Sequence, residues 1–331
     1  MNKRMIYVLA GLFMALLIIS YAQRSFDKAT DSPESLNELS LSFDGGSVNK
    51  LNVFKQDYPD SGLYFVKGDD GWLLASEFSS PARESDVQKL IDDLKNISGS
   101  VRGESADLFP EFEISDERAL QIELFDSDDN KLVHLYVGKG GGGRECFVRL
   151  AGSPVTYLAN ENFISRFAAW NAPPEKKLPT DRWVELKLCD IERDEIQSLE
   201  IINDKQTFAF ANLEVPSEDT LTPPARAWTQ VSPERGTKIE ESKIRALWST
   251  VSSLRAKAVT DPASRAKFGL DKPKYSLAVA DSLGSRVRIE FSDPVNEEED
   301  RYLVVEGRAA VYGIDKSSFE RVFVKPFESA K

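Results

Sequence analysis

The sequence predicts an α+β protein of two tandem repeats behind one N-terminal transmembrane helix. Each repeat is an antiparallel sheet with one packed amphipathic helix and a short terminal helix. Three observations predict this. The first is a helical apolar stripe that occurs twice: Val87, Leu90, Ile91, Leu94 and Ile97 are spaced 0, 3, 4, 7 and 10, and Ile244, Leu247, Trp248, Val251 and Leu254 repeat that spacing 157 residues later. In a helix of ~3.6 residues per turn this spacing gathers the apolar side chains on one side. The second is a set of landmarks at a nearly constant offset. Trp72 and Trp228 lie 156 apart, Phe112 and Phe268 156, Gly152 and Gly307 155, and Tyr157 and Tyr312 155. Such an offset marks an internal repeat. The third is alternation: Leu120, Ile122 and Leu124 interleave with Gln121, Glu123 and Phe125, the period of a half-buried strand. Strands grouped around a single helix, without regular βα alternation, argue for α+β.

The chain begins with Lys3 and Arg4 and then carries no charge from Met5 to Ala22. Eighteen residues at ~1.5 Å rise reach about 27 Å, close to a ~30 Å hydrocarbon core. Tyr7 and Tyr21 sit near the two interfaces, and the preceding positive charges hold the N-terminus in the cytoplasm. The expectation is a single-pass anchor in the cytoplasmic membrane with the bulk of the chain extracytoplasmic, in the periplasm. A rival reading is a signal peptide cleaved after Ala22, where Ser20 and Ala22 are small. Residues 1–22 are therefore the anchor or signal peptide. Residues 23–38, rich in Ser, Asp, Glu, Thr and Lys, form a flexible stalk.

The first α+β repeat spans 39–171. Strand signals at residues 51–54 and 63–66 precede Trp72, and Ser85 with Gln88 has the spacing of a capping box for the helix that follows. Further strands lie at 120–125, 132–137, 145–150 and 155–158, and Asn160 is the expected cap of a last helix carrying Phe163, Ile164 and Phe167. Residues 172–189 are a proline-rich connector and lead-in, since consecutive prolines do not continue a helix. The second α+β repeat spans 190–327. Its strand at 199–202 corresponds to 51–54, residues 212–226 form an insertion before Trp228, and Asp315 caps the final helix with Phe319 and Phe323.

Composition limits the functions available. Lys and Arg total 42 against 54 Asp and Glu, a formal net charge of −12, and without Lys3 and Arg4 the remainder carries −14. A surface that acidic repels phosphate backbones, which argues against nucleic-acid binding. Cys146 and Cys189 form no metal-type cluster and read as two small buried hydrophobes. His134 is the only histidine, so histidine-based metal clusters and Ser-His-Asp triads have no second member to draw on, and a lone strand histidine is usually structural.

Three motifs imitate chemistry. Residues 138–143 satisfy GxGxxG after a strand, but another strand follows where a pyrophosphate site needs a helix N-terminus, so they read as a flexible hairpin tip. Asp126, Asp128 and Asn130 resemble the start of a calcium loop, yet Lys131 and Val137 stand where glycine and glutamate are required, and a hairpin turn is expected. The acidic run 297–300 is a solvated charge run at the equivalent hairpin of the second repeat.

Trp228 before the helix, the stretch Lys267-Phe-Gly-Leu-Asp-Lys-Pro273, the alternating strand after it, and Arg301-Tyr-Leu-Val-Val with Val311-Tyr312 resemble the bacterial domain-of-unknown-function 4340 family. The lead-in from Asp181-Arg-Trp-Val to Leu199-Glu-Ile is similar too, whereas Phe112-Glu-Ile-Ser replaces Phe268-Gly-Leu-Asp in the first repeat. The resemblance implies a membrane-attached envelope protein, of a kind often encoded beside gliding-type ABC transport components, and supplies no catalytic residue.

Three function classes follow. The leading one is a non-enzymatic membrane-anchored envelope protein acting by protein–protein contacts, as an accessory subunit of an ABC-type transport system. The second is an extracytoplasmic ligand-binding module with its site between the repeats near Pro173 to Pro179. The third is a carboxylate-based hydrolase, for which no pair of acids stands out. No catalytic, cofactor-binding or metal residue is assigned and no cofactor is expected. The expected partners are membrane or envelope proteins, such as ABC transporter subunits, and no nucleic acid.

Overall fold

The computed structural model describes residues 38–170, 173, 175–204, 206–215, 225–233, 241–297 and 299–324. The anchor and nearly all of the stalk lie outside them. Among the described residues no helix is long and apolar enough to cross a membrane.

The first half contains β1 (Lys50–Lys55), β2 (Tyr58–Gly68), β3 (Gly71–Leu74), β4 (Ser80–Pro81), α1 (Glu84–Lys95), β5 (Gly99–Gly103), α2 (Phe109–Phe112), β6 (Leu120–Phe125), β7 (Lys131–Gly142), β8 (Glu145–Leu150), β9 (Thr156–Ala159) and α3 (Phe163–Arg166). The second contains β10 (Ile196–Asn203), β11 (Gln206–Val215), β12 (Ala225–Ser232), α4 (Glu241–Ser252), β13 (Ala258–Thr260), β14 (Tyr275–Asp281), β15 (Arg286–Phe291), β16 (Arg301–Val305), β17 (Val311–Ile314) and α5 (Lys316–Phe323). Two antiparallel sheets result. Their strand orders are β4-β3-β2-β1-β6-β7-β8-β9-β5 and β12-β11-β10-β14-β15-β16-β17-β13. Apart from β4, the two orders match strand for strand.

Register matches as well as order. Tyr157 lies opposite Val101 and Val148, and Tyr312 lies opposite Val259 and Leu303. Phe112 stacks on Phe147 at 4.3 Å, and Phe268 on the equivalent Tyr302 at 3.5 Å. The same backbone bonds close the loops before β6 and β14: Ile114 N–H donates to Phe109 O at 3.0 Å, and Leu270 N–H to Arg265 O at 3.1 Å. The expected departure at Glu113 is one of residue type alone. Glu113 takes φ +59 where Gly269 takes φ +71, so both halves make the same left-handed turn.

Each apolar stripe is buried in its own half. Val87, Leu90, Ile91, Leu94 and Ile97 belong to the first core, and Ile244, Leu247, Trp248, Val251 and Leu254 to the second. Helix entry differs from expectation. The N-cap of α1 is Arg83, without a side-chain cap, so Ser85 and Gln88 form no capping box. The Glu84 carboxylate instead accepts from Trp72 N–H at 3.2 Å, tying the helix start to its strand. Asn162, not Asn160, caps α3 through Ser165 N–H, while Asn160 accepts from Ser98 N–H. Asp315 caps α5 as expected, through Ser318 N–H at 2.7 Å.

Residues 172–189 are more than a connector. Leu178, Trp183 and Val184 complete the first core, while Leu188 and Cys189 begin the second. The backbone around Trp183 pairs with the end of β4: Arg83 N–H donates to Trp183 O, Glu185 N–H to Pro81 O, and Ala82 bridges Val184. A few residues on, Ala256 N–H donates to Leu186 O and Leu188 N–H to Leu254 O. One segment is thus bonded into both halves. The insertion is also shorter than residues 212–226, because β11 runs to Val215 and β12 begins at Ala225.

Two stability outcomes are expected. The Trp183 indole packs against Phe65 at 5.4 Å and Phe167 at 5.2 Å, and Trp183→Ala should cost about 3–5 kcal/mol in chemical denaturation. A left-handed non-glycine residue costs about 1–2 kcal/mol, partly offset by the greater unfolded-state entropy of glycine, so Glu113→Gly should raise stability by about 0.5–1 kcal/mol, with Gly269→Ala moving the opposite way.

Candidate functional site

The outer face of the first sheet, away from its helix, carries the polar residues that alternation assigns to solvent. It is covered instead: Gln121, Glu123 and Arg149 are buried. Register sets Gln121 opposite Tyr136, Glu123 opposite His134, and Tyr136 opposite Arg149. The loop around α2 folds over them. Arg149 Nε donates to Ile114 O at 2.7 Å, its Nη2 pairs with Asp116, and its guanidinium lies 3.5 Å from the Tyr136 ring and 4.6 Å from Phe109. Gln121 donates to Asp116 O. Buried polar groups need such partners, and here the loop supplies them.

His134 belongs to this cluster. Its ring stacks on Tyr136 at 4.6 Å, its Nε2 lies 2.9 Å from Gln121 Oε1, and Glu123 Oε1 is 3.6 Å away. Burial pushes its pKa below the ordinary value, the Glu123 carboxylate opposes that, and Lys131 and Arg149 reinforce it. The only histidine is a packed member of a filled surface.

The remaining motif residues are positioned as follows. Residues 138–143 lie on the hairpin between β7 and β8, and a strand, not a helix, follows them. Gly138 has a packing reason: a Cβ there would come within 2.1 Å of Phe112 O. Asp126 Oδ1 accepts from Asp128 N–H and Asn130 N–H, closing a turn that Asp281 closes in the second half through Leu283 N–H and Ser285 N–H. In the acidic run, Glu299 pairs with Lys316 at 2.8 Å and Asp300 with Lys257 at 3.3 Å. Cys146 and Cys189 are free and buried, the first with its thiol pushed up to about 12 by desolvation. Among the described residues no three His, Cys, Asp or Glu side chains gather as metal ligands would.

Near Pro173 to Pro179, where a site between the repeats is expected, Leu178 is buried, its N–H donating to Ser61 O. A cleft of about 580 Å³ lies in the first half beside the glycine hairpin, where Lys55, Arg118 and Lys139 meet the exposed Trp170.

The two sheets differ most at their edges. The four edge strands are β4, β5, β12 and β13, with two, five, eight and three residues. In the first half β4 and the connector cover β3. In the second, the longest edge strand has β11 on one side and, among the described residues, no strand on the other. An edge of that length presents a row of backbone donors and acceptors to another chain.

A cleft of about 330 Å³ adjoins β12, lined by Arg193, Gln197, Arg226, Trp228 and Trp248 among others. The indoles of Trp228 and Trp248 sit 4.3 Å apart, and Trp248 Nε1 and Gln197 Oε1 are buried without hydrogen-bond partners among the described residues. Leu213 on β11 and Val231 on β12 are exposed large hydrophobes close by. Main-chain pairing along an open edge, with a pocket for a side chain beside it, is the arrangement of strand addition.

Sequence reasoning missed this site. Arg226 and Trp228 alternate as a strand should, but nothing in their spacing says that the neighbouring position is open.

A family model described as "Domain of unknown function (DUF4340)" matches residues 72–259 and 228–327. The two matches begin at Trp72 and Trp228, the pair of tryptophans 156 residues apart. No curated protein and no solved structure matches the chain.

The His134 environment carries a pH prediction. With its folded pKa below the unfolded value of ~6.5, the native state holds fewer protons, so its contribution to stability is present above that pH and is lost as pH falls through it. Denaturation midpoints at pH 7.5 and 5.5 should therefore differ less in His134→Gln than in the parent chain.

Proposed function

Because the chain belongs to the DUF4340 family, a membership that assigns no activity, we propose from its own geometry that it is a non-enzymatic envelope protein acting by protein–protein contacts through the β12 edge. The observation that carries this reading is the eight-residue strand β12, with no strand on its outer side among the described residues, beside a cleft holding Arg193 with its partner Asp194, Arg226 and a buried Trp248 N–H that has no hydrogen-bond partner among the described residues. A partner would add an extended segment to the sheet, and an acidic or amide side chain from it would meet the donors in the cleft.

The uncharged run from Met5 to Ala22 behind Lys3 and Arg4 supports a single-pass anchor in the cytoplasmic membrane, with both halves in the periplasm. In that setting the partner is a membrane or envelope protein. The resemblance drawn from Trp228 and residues 267–273 supports an ABC-type transport component as that partner.

The test uses a photoreactive amino acid at Thr229 in β12, in cells expressing the tagged full chain, with the same residue at the exposed helix position Gln88 as control. A discrete adduct with an envelope protein from Thr229 and none from Gln88 is expected. Equal labelling from both positions, or adducts from neither, would defeat the reading.

A further inference from the structure

The matching halves give an internal control for what each outer sheet face is built to hold. At four equivalent positions the first half has Phe109, Glu113, Tyr136 and Arg149, and the second has Arg265, Gly269, Glu290 and Val304. The equivalence is fixed by the shared loop bonds and by register: Tyr136 lies opposite Arg149, and Glu290 opposite Val304. In the first half the Arg149 guanidinium is sandwiched between Tyr136 and Phe109 and fills the face. In the second half valine leaves that volume empty, and a cleft of about 430 Å³ opens there.

Arginines line the cleft. Arg265, Arg286, Arg288 and Arg308 face two carboxylates, Glu290 and Glu306. Arg288 Nε stands 3.3 Å from Glu290, and Arg265 Nη2 3.7 Å from it, so one carboxylate is loosely shared by two guanidiniums. Arg308 is held in place from behind, donating to Lys187 O at 2.8 Å and Asp190 at 2.7 Å. Among the described residues Arg286 has no carboxylate within ion-pair distance. The lining itself holds four guanidiniums and two carboxylates, while Asp190 behind Arg308 and Asp271, 3.7 Å from Arg265 Nε, pair with two of the arginines from outside it, which leaves Arg286 and Arg288 as the donors least committed to a carboxylate.

We propose that this cleft is a binding site for a phosphate group, carried on a small monoester. Planar guanidiniums present paired N–H donors that match a dianionic tetrahedral oxyanion better than a single carboxylate, which one arginine satisfies. The volume exceeds what the phosphate alone needs and falls within the usual range of small-molecule sites, ~300–1,000 Å³. The acidic remainder of the surface repels long polyanions, so a small ligand suits the cleft and a nucleic acid does not. The site is separate from the β12 edge and stands or falls independently of it.

The experiment titrates the detergent-solubilised full chain with inorganic phosphate and with glycerol 3-phosphate by calorimetry, at ionic strength held constant with chloride. A vesicle arm compares phosphatidic acid in phosphatidylcholine with phosphatidylcholine alone. Saturable binding is expected to weaken about tenfold or more in Arg288→Gln, the order for one lost charge-assisted contact. Val304→Phe, which fills the cleft with the arginines intact, should weaken it likewise. Arg144→Gln, at an exposed arginine on the first half's hairpin, should leave it unchanged. Circular dichroism and melting curves check that each variant folds, and Arg288→Gln decides alone if Val304→Phe does not. Binding of glycerol 3-phosphate identifies a soluble ligand, and binding confined to phosphatidic acid vesicles identifies a lipid headgroup, either supporting the site. A response equal in phosphate and chloride with no vesicle retention, or equal losses in Arg288→Gln and Arg144→Gln, would overturn it.

Discussion

The packing of Trp183 between Phe65 and Phe167 ties the architecture together. The indole comes from outside the first sheet, on the segment that leads into the second, and it is 1% exposed. Around it the backbone bonds to residues 81–83 on one side and, a few residues on, to residues 254–256 on the other. Apolar burial and main-chain pairing thus act on the same short segment. The segment therefore belongs to both cores and is not a free linker between them.

On this shared frame the halves have divided their surfaces. The inner faces are conservative: each holds one helix stripe against the sheet, with a tyrosine, Tyr157 or Tyr312, at the same register. The outer faces and edges are not. In the first half the face is plugged by Arg149 and its loop, and the edge is closed by β4. In the second the face holds an arginine-lined cleft and, among the described residues, no strand lies beyond β12. Plugged faces and closed edges contribute to stability, and open ones are available for recognition. The first half keeps its own cleft beside the glycine hairpin, so the division concerns the position of Arg149 and Val304 and the strands at the sheet edges.

What was legible in the sequence follows from this division. The apolar periods, the tryptophan and tyrosine offsets and the Asp315 cap were readable because they report local geometry and inner-face burial, which each residue's neighbours in sequence determine. The burial of Gln121 and Glu123 was not, because it depends on a loop reaching over from residues 105–116. Nor was the role of residues 172–189, since proline content signals the end of a helix and says nothing of what the chain touches next. Nothing in the sequence positions of Arg265 and Arg288 sets them together. Their convergence is visible only when residues 109 and 265, and 149 and 304, are known to occupy equivalent places.

The left-handed pair makes the same point about divergence in a single residue. Glu113 and Gly269 share a turn that glycine makes at little cost and glutamate makes under strain. The turn persists in the first half because residues 112–114 are fixed by what surrounds them: Phe112 stacked on Phe147, Ile114 fully buried, and Ile114 O accepting from Arg149. Gly138 is the counterpart across the sheet, bare so that this loop can approach. The first half therefore sustains an unfavourable backbone conformation through the contacts that plug its face. The second half has the relaxed glycine and no plug, so its loop can present Arg265 to the cleft without that constraint.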